Sequence, residues 1–271
     1  MDEIVLITGA SSGIGKATAE LLLENGYKVY AGARRLEQLG ELRSLGARIL
    51  YLDVTDNFLL ETAVRTIIRN EGRLDILINN AGYGAHGALE DVPMAEARRQ
   101  FEVNVFGLAR LTQLALPHMR RNKSGKIVNI SSIAGRISVP LSGWYHASKY
   151  AVEAYSDALR LEVKRFGIDV VLIEPGPIKT GWDAVALENL SKNSGSGPYA
   201  ALAQKLTGKF REGYRSGAPG PERVAGVILK ALEARRPSAR YVVPFRAKAI
   251  LFLKWLLPDC VLDFALGSLL R

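Results

Sequence analysis

The sequence predicts an α/β fold: a doubly wound parallel sheet of about seven strands, with helices on both faces, in a single domain. Three observations carry that reading. Short apolar runs alternate with longer stretches of helical period along most of the 271 residues. Several runs lack strict in-and-out alternation, as strands covered on both faces do. Polar clusters follow the runs, where the carboxyl ends of parallel strands build a ligand crevice.

The elements follow in order. Strands are expected at Ile4–Thr8, Lys28–Ala33, Arg48–Leu52, Asp75–Ile78, Lys126–Ile130, Ile168–Ile173 and, more weakly, Arg240–Val243. Helices are expected at Gly13–Asn25, Asn57–Asn70, Met94–Arg121 and Trp144–Phe166. A segment rich in Gly, Ser and Pro over 181–220 breaks the rhythm just beyond the sixth strand, the place for a mobile lid. The tail, 245–271, is apolar and helical in pattern but too interrupted to span a bilayer. Packing on its own protein is expected of it, with a subunit interface or a membrane surface as alternatives.

Composition narrows the function. With 48% hydrophobic and 23% charged residues, the chain can bury a core without staples. Its one cysteine, Cys260, excludes an intrachain disulfide and a Cys-based zinc site. His86, His118 and His146 lack metal-ligand spacing, so no metal is expected. A reduced, cytoplasmic location fits this usage. The opening Met-Asp-Glu, followed by an apolar run at Ile4, does not read as a secretory signal. The net charge of +9 is dispersed in pairs such as Arg120-Arg121, without the basic stripe of a nucleic-acid binder.

The first strand runs into Thr8, Gly9, Ala10, Ser11, Ser12, Gly13, Ile14 and Gly15, and a helix follows. Glycines at 9, 13 and 15 permit a tight turn and close approach of a phosphate to the backbone. The helix N-terminus then offers unpaired N–H groups and the positive end of its dipole. The Gly-Lys-Ser/Thr ending of a triphosphate loop is missing. An acidic residue ending the second strand would grip the ribose 2′-hydroxyl of NAD; arginine there suits the 2′-phosphate of NADP. Here Ala33 holds that place and Arg34 and Arg35 follow. NADP(H) is therefore the expected cofactor, with Arg34 the main contact and Arg35 secondary.

Tyr145 and Lys149 lie four residues apart and share a helix face. A phenol titrates near 10 in water, and a neighbouring ammonium is expected to bring it down into the range of an acid/base catalyst. The pair alone is a common spacing; its context carries it. Asn129-Ile-Ser131-Ser132 closes the fifth strand, Asn79-Asn80-Ala81-Gly82 the fourth, and Pro175-Gly-Pro-Ile-Lys-Thr180 the sixth. All fall at the crevice.

On these residues the sequence resembles the short-chain dehydrogenase/reductase family, in its compact Rossmann-type branch, over nearly the whole chain. The resemblance implies that Tyr145 is the general acid/base and that Lys149 lowers its pKa and holds the nicotinamide ribose. It implies that Ser132, rather than Ser131, holds the substrate oxygen and that Asn104 supports a proton-relay water. Asp53 and Val54 resemble the pair beside the adenine; Asn80, Ala81 and Gly82 line the cofactor ribose; Pro175, Gly176, Ile178 and Thr180 lie in the loop near the nicotinamide. The segments 82–90 and 173–180 look most like the hydroxysteroid and retinol dehydrogenase subgroup, which implies a hydrophobic alcohol or carbonyl substrate and a homodimer or homotetramer. The alternatives are a broad-specificity carbonyl reductase and a non-catalytic NADP(H)-sensing protein; the latter has no need of Ser132, Tyr145, Lys149 and Asn104 together. Asn129 and Ser131 are expected to serve turns and backbone bonding. His86 is expected to be exposed or bonded within its loop, with contact to substrate as the alternative, His146 to point away from Tyr145, and Trp144 either to line the pocket or to pack.

Overall fold

The computed structural model describes residues 3–215 and 217–270; Ser216 of the expected lid, and Met1, Asp2 and Arg271 at the ends, lie outside the described residues. Seven strands form one parallel sheet: β1 (Ile4–Thr8), β2 (Lys28–Ala33), β3 (Arg48–Tyr51), β4 (Ile76–Asn79), β5 (Gly125–Ile130), β6 (Ile168–Pro175) and β7 (Arg240–Val243). Their order is β3-β2-β1-β4-β5-β6-β7. The order reverses between β1 and β4, so the carboxyl ends of these two neighbours open the ligand crevice.

Period-2 side-chain alternation feeds two separate cores. Val5, Ile7, Val29, Ile78, Val128 and Ile173 face α1 (Gly13–Glu24) and α9 (Glu222–Glu233), which bring Leu22, Val224 and Ile228. Ile4, Leu6, Leu77, Ile127 and Val170 face the other way, against Leu60 and Ile67 of α3 (Asn57–Glu71), Met119 of α5 (Leu108–Asn122) and Leu159 of α6 (Gly143–Val163). Each fully buried aliphatic side chain contributes about 1.5–3 kcal/mol of transfer free energy. That is why runs with no polar face read as central strands. A short helix, α2 (Gly40–Ser44), leads into β3. Asp56 starts α3 by accepting from the N–H groups of Phe58 and Leu59 at 2.9 and 3.2 Å.

The structure corrects three expectations. The helix read over Met94–Arg121 is not continuous. It is α4 (Met94–Phe101), a π-helical stretch over Glu102–Gly107, and then α5. The extra residue per turn shifts which side chains face inward, an effect no periodicity count contains. The segment read as a Gly/Ser/Pro insertion is mostly helical: α7 (Trp182–Ser194) and α8 (Ala200–Arg215), whose Leu190, Ala203 and Leu206 bury against Ala88 and Leu141. The tail forms α10 (Phe245–Leu256) and α11 (Asp259–Leu270) but is not packed away. Phe245, Trp255 and Phe264 are 75%, 78% and 73% exposed, and Phe252 and Leu256 are exposed too. Strand and helix ends otherwise differ from expectation by one to three residues, the most at α6, whose last three expected residues form a 3₁₀ turn.

Candidate active site

The turn after β1 is clamped to the turn after β4. Thr8 Oγ1 accepts from the N–H groups of Asn80 and Ala81, both at 3.0 Å, and Asn80 Nδ2 donates to the carbonyls of Thr8 and Gly9 at 2.9 and 3.1 Å. A side chain has no room at Gly15: its Cβ would collide with the Gly9 carbonyl and lie 2.5 Å from Asn80 Nδ2. Gly13 has φ +56°, and its missing Cβ would lie 3.0 Å from Thr180 Cβ in the loop after β6. One small turn is thus wedged between two others. Ser12 opens α1 without a side-chain cap, and no acidic residue stands in the first turn. The orphan N–H groups and the positive dipole end are left for an anion, which fits the pyrophosphate of a dinucleotide.

Beyond β2, Arg35 Nη2 lies 3.4 Å from Ser11 Oγ, so this guanidinium leans over the turn. Arg34 pairs with Asp53 at 3.8 Å. Asp53 Oδ1 accepts from the N–H and hydroxyl of Thr55 at 3.0 and 2.8 Å. The Val54 carbonyl packs so tightly on Gly107 that a Cβ there would strike it. Ile178 is buried, and the N–H of Gly176, next to Pro175, donates to Val243 at 2.6 Å.

Ser132, Tyr145, Lys149 and Asn104 come together at the carboxyl end of β5. Ser132 Oγ donates to the Pro175 carbonyl at 3.2 Å and accepts from the Ala134 N–H at 3.1 Å. It also hydrogen-bonds the Tyr145 side chain. Lys149 Nζ donates to the Ile130 carbonyl at 2.8 Å and sits 6.0 Å from the Tyr145 ring centroid. Asn104 lies in the π-helical stretch. Its Nδ2 donates to the Tyr83 carbonyl and to Ser148 Oγ at 2.9 and 3.0 Å, while its Oδ1 accepts from the Tyr83 N–H at 3.0 Å. A Cβ on Gly82 would lie 3.2 Å from Asn104 Oδ1 and 3.7 Å from Lys149 Nζ, so both groups converge on that point.

The electrostatics correct a further expectation. Tyr145 keeps part of its surface, but protein crowds its hydroxyl, and burial pushes the phenol up to about 12. The Ser132 hydrogen bond acts downward; the Lys149 ammonium, turned to Ile130, does not dominate. Burial brings Lys149 down to about 8, opposed by the Glu153 charge. Desolvation penalises the charged form of each group, so it moves the two in opposite directions.

His86 departs from the favoured expectation of exposure. It is buried, not exposed; Nδ1 is hydrogen-bonded to Ser142 Oγ at 2.8 Å, and its ring lies 5.6 Å from that of Tyr145 and 6.3 Å from Phe210 of α8. Burial brings it down to about 4, so it is neutral at pH 7. Its loop position hid this, because α7 and α8 fold over that loop. Asn129 serves side chains rather than turns: it accepts from Asn79 Nδ2 at 2.9 Å and donates to Ser156 Oγ at 2.8 Å, tying β4, β5 and α6 together. The Ser131 hydroxyl is buried without a hydrogen-bond partner among the described residues, although its N–H donates to the Ile173 carbonyl. His146 does serve structure: Nδ1 bonds the Ala134 carbonyl at 2.9 Å and Nε2 accepts from the Val139 N–H at 3.1 Å. Trp144 packs, its Nε1 donating to Leu89 at 3.3 Å and its ring edge-on to Phe101.

Comparison with known proteins gives this geometry a context. A family model described as short chain dehydrogenase matches residues 3–190. A 3-ketodihydrosphingosine reductase of Bacteroides thetaiotaomicron is 40% identical, over 97% of this chain and 96% of its own. An NADPH-dependent 3-dehydrocapnine reductase of Ornithobacterium rhinotracheale is 38% identical, over 95% and 94%. Among solved structures, a short-chain dehydrogenase from Streptomyces avermitilis superposes with a TM-score of 0.84 at 32% identity, over 99% and 98% of the two chains. One from Burkholderia phymatum, in complex with NAD, gives 0.81 at 26% identity, over 98% and 95%.

Proposed function

The chain belongs to the short-chain dehydrogenase family, an oxidoreductase family acting on CH–OH groups, and from that premise we propose that it is an NADP(H)-dependent enzyme. Its reaction interconverts a hydrophobic secondary alcohol and its ketone, or a primary alcohol and its aldehyde. The observation that carries the reading is the convergence of Ser132, Tyr145, Lys149 and Asn104 beside a clamped glycine turn with an uncapped helix end. NADP(H) is favoured by Arg34 and Arg35 following Ala33, where an acid would select NAD. An NADPH-dependent relative supports it. Relatives named as reductases of 3-ketodihydrosphingosine and 3-dehydrocapnine support a carbonyl substrate.

When bound, the nicotinamide supplies or accepts the hydride. Ser132 and Tyr145 hold the substrate oxygen and stabilise the negative charge that grows there during reduction. Tyr145 gives that oxygen its proton and takes it back in the reverse direction. Lys149 would hold the cofactor ribose, while the Ser132 hydrogen bond opposes the burial that disfavours the phenolate. Asn104 keeps the way to Lys149 polar. His86, Leu141 and Phe210 wall the substrate side, with α7 and α8 as the lid over 181–220. The homo-oligomer forms through the α5 and α6 side, where Phe106, Tyr150 and Leu161 are exposed. No helix among the described residues is long and apolar enough to cross a membrane. The exposed tail instead lies on a membrane surface, its apolar side chains interleaved with Arg246, Lys248 and Lys254.

The test is turnover of long-chain, steroid and retinoid carbonyls with NADPH and with NADH. Tyr145→Phe is expected to abolish turnover while cofactor binding persists. Activity near wild type in that variant would remove Tyr145 from its role. Equal turnover of small and bulky carbonyls would leave a broad-specificity reductase. Cofactor binding with no turnover of any carbonyl would leave the sensing protein.

A further inference from the structure

Behind the reaction site lies a second ionic cluster that none of these roles uses. Glu174 of β6 is fully buried and Glu153 of α6 is 5% exposed. One guanidinium serves both: Arg240 Nε of β7 lies 3.0 Å from Glu153 Oε2 and 3.1 Å from Glu174 Oε1. Arg240 Nη2 also reaches Asp157 at 2.6 Å, and Asp157 in turn holds Arg160 at 2.5 Å. Arg136, from the turn after β5, completes the set at 3.4 Å from Glu174. Each glutamate still keeps one buried oxygen, Glu153 Oε1 and Glu174 Oε2, without a hydrogen-bond partner among the described residues.

The cluster touches the machinery at three points. Glu153 stands one helical turn beyond Lys149 on α6, and its charge acts on that ammonium. Glu174 immediately precedes Pro175, whose carbonyl accepts from Ser132. Gly135 brings the levels together: a Cβ there would lie 2.8 Å from Glu153 Cγ and 3.0 Å from both the Lys149 carbonyl and Ser131 Oγ.

We infer that Glu153, anchored by the Arg240 guanidinium and packed through Gly135 against the Lys149 turn of the helix, presents its carboxylate charge to Lys149 and holds that side chain as a cation in position. Glu153 is then a positioning residue, acting through Lys149. Burial, followed by the Glu153 charge, pushes Glu174 up to about 7. Burial acts to strip Lys149 of its charge, and the Glu153 charge opposes that loss. The importance of this to catalysis rests on the proposed role of Lys149, but the charge coupling does not.

The experiment therefore reads the ammonium itself. The full chain is labelled with 13C at lysine Cε, and Lys149 is followed by NMR across pH, its resonance identified by its loss in Lys149→Met. Glu153→Gln is expected to move the Lys149 midpoint toward acid by about one pH unit, and Glu153→Asp to restore most of it. Arg240→Gln exposes the carboxylate charge and moves the midpoint the opposite way; it decides the matter alone if Glu153→Gln does not fold. A midpoint unmoved in folded variants overturns the inference. A midpoint that moves while the pH profile of kcat/KM stays fixed upholds the coupling and overturns the catalytic role of Lys149 instead.

Discussion

Removing Arg34 and Arg35 separates the two dinucleotides. A hydrogen bond to a charged group contributes about 1.5–3 kcal/mol. The Arg34 side chain is 60% exposed and Arg35 is exposed as well, so solvent screening puts each at the lower end, about 1.5 kcal/mol. That is about tenfold in Kd per arginine and about a hundredfold for the pair. NADH lacks the 2′-phosphate and is spared this loss. Arg34→Ala also relieves Asp53 of its cation at 3.8 Å, leaving a carboxylate oxygen for a ribose hydroxyl. NADH affinity therefore holds or rises. Fluorescence titration of Arg34→Ala, Arg35→Ala and the double variant with both reduced cofactors reads the effect directly. Equal weakening of NADPH and NADH, or no weakening of either, would show that these guanidinium groups do not meet a 2′-phosphate.

Three more outcomes follow from the packing. Gly15→Ala forces a methyl against the Gly9 carbonyl and Asn80 Nδ2, an overpacking cost of about 1–3 kcal/mol; thermal unfolding should come several degrees lower with cofactor affinity reduced, and unchanged binding would refute the wedge. His86 is held down to about 4 from 6.5, so the folded state resists a proton that the unfolded chain takes up. Its stabilisation is complete above pH 6.5 and is lost as pH falls toward 4, about 2 kcal/mol of it by pH 5. Urea unfolding at pH 7.5 and pH 5 should show that extra loss in wild type relative to His86→Gln, and parallel losses would refute it. Finally, Phe252→Ser with Trp255→Ser should release the chain from vesicles of mixed phosphatidylcholine and phosphatidylglycerol by tenfold or more, since burying one aromatic side chain contributes about 1.5–3 kcal/mol. Sedimentation unaffected by the pair, or absent in wild type, would end the membrane reading.

What the sequence made legible follows from which physics is local. Strands such as Ile4–Thr8 and the turn Gly9–Gly15 depend on burial pattern and backbone room, and both are written in consecutive residues. Tyr145 and Lys149 share a helix face because their spacing says so. Asn104 was legible as a residue, but its π-helical setting was not, because the broken turn reflects packing on Val54 and the Tyr83 backbone from elsewhere in the chain. His86 was misjudged for the same reason: its burial is conferred by Phe210, more than a hundred residues on. The tail was misjudged in the other direction. Apolar composition suggests burial, yet only partners decide it, and Phe245, Phe252, Trp255 and Phe264 stay more than half exposed.

The local rules also hid a conflict that the folded site must resolve. An ammonium beside a phenol in water would help it ionise, and the four-residue spacing alone suggests as much. Folding buries both groups and reverses the starting point, pushing Tyr145 up to about 12 and Lys149 down to about 8. Two groups in this chain act against burial: the Ser132 hydroxyl on the phenol and the Glu153 charge on the ammonium. The tuning of the pair therefore extends beyond it, to the end of β5 on one side and to carboxylates held by Arg240 on the other. A variant that leaves Tyr145 and Lys149 intact but removes either support should shift the pH at which the site works without changing its shape.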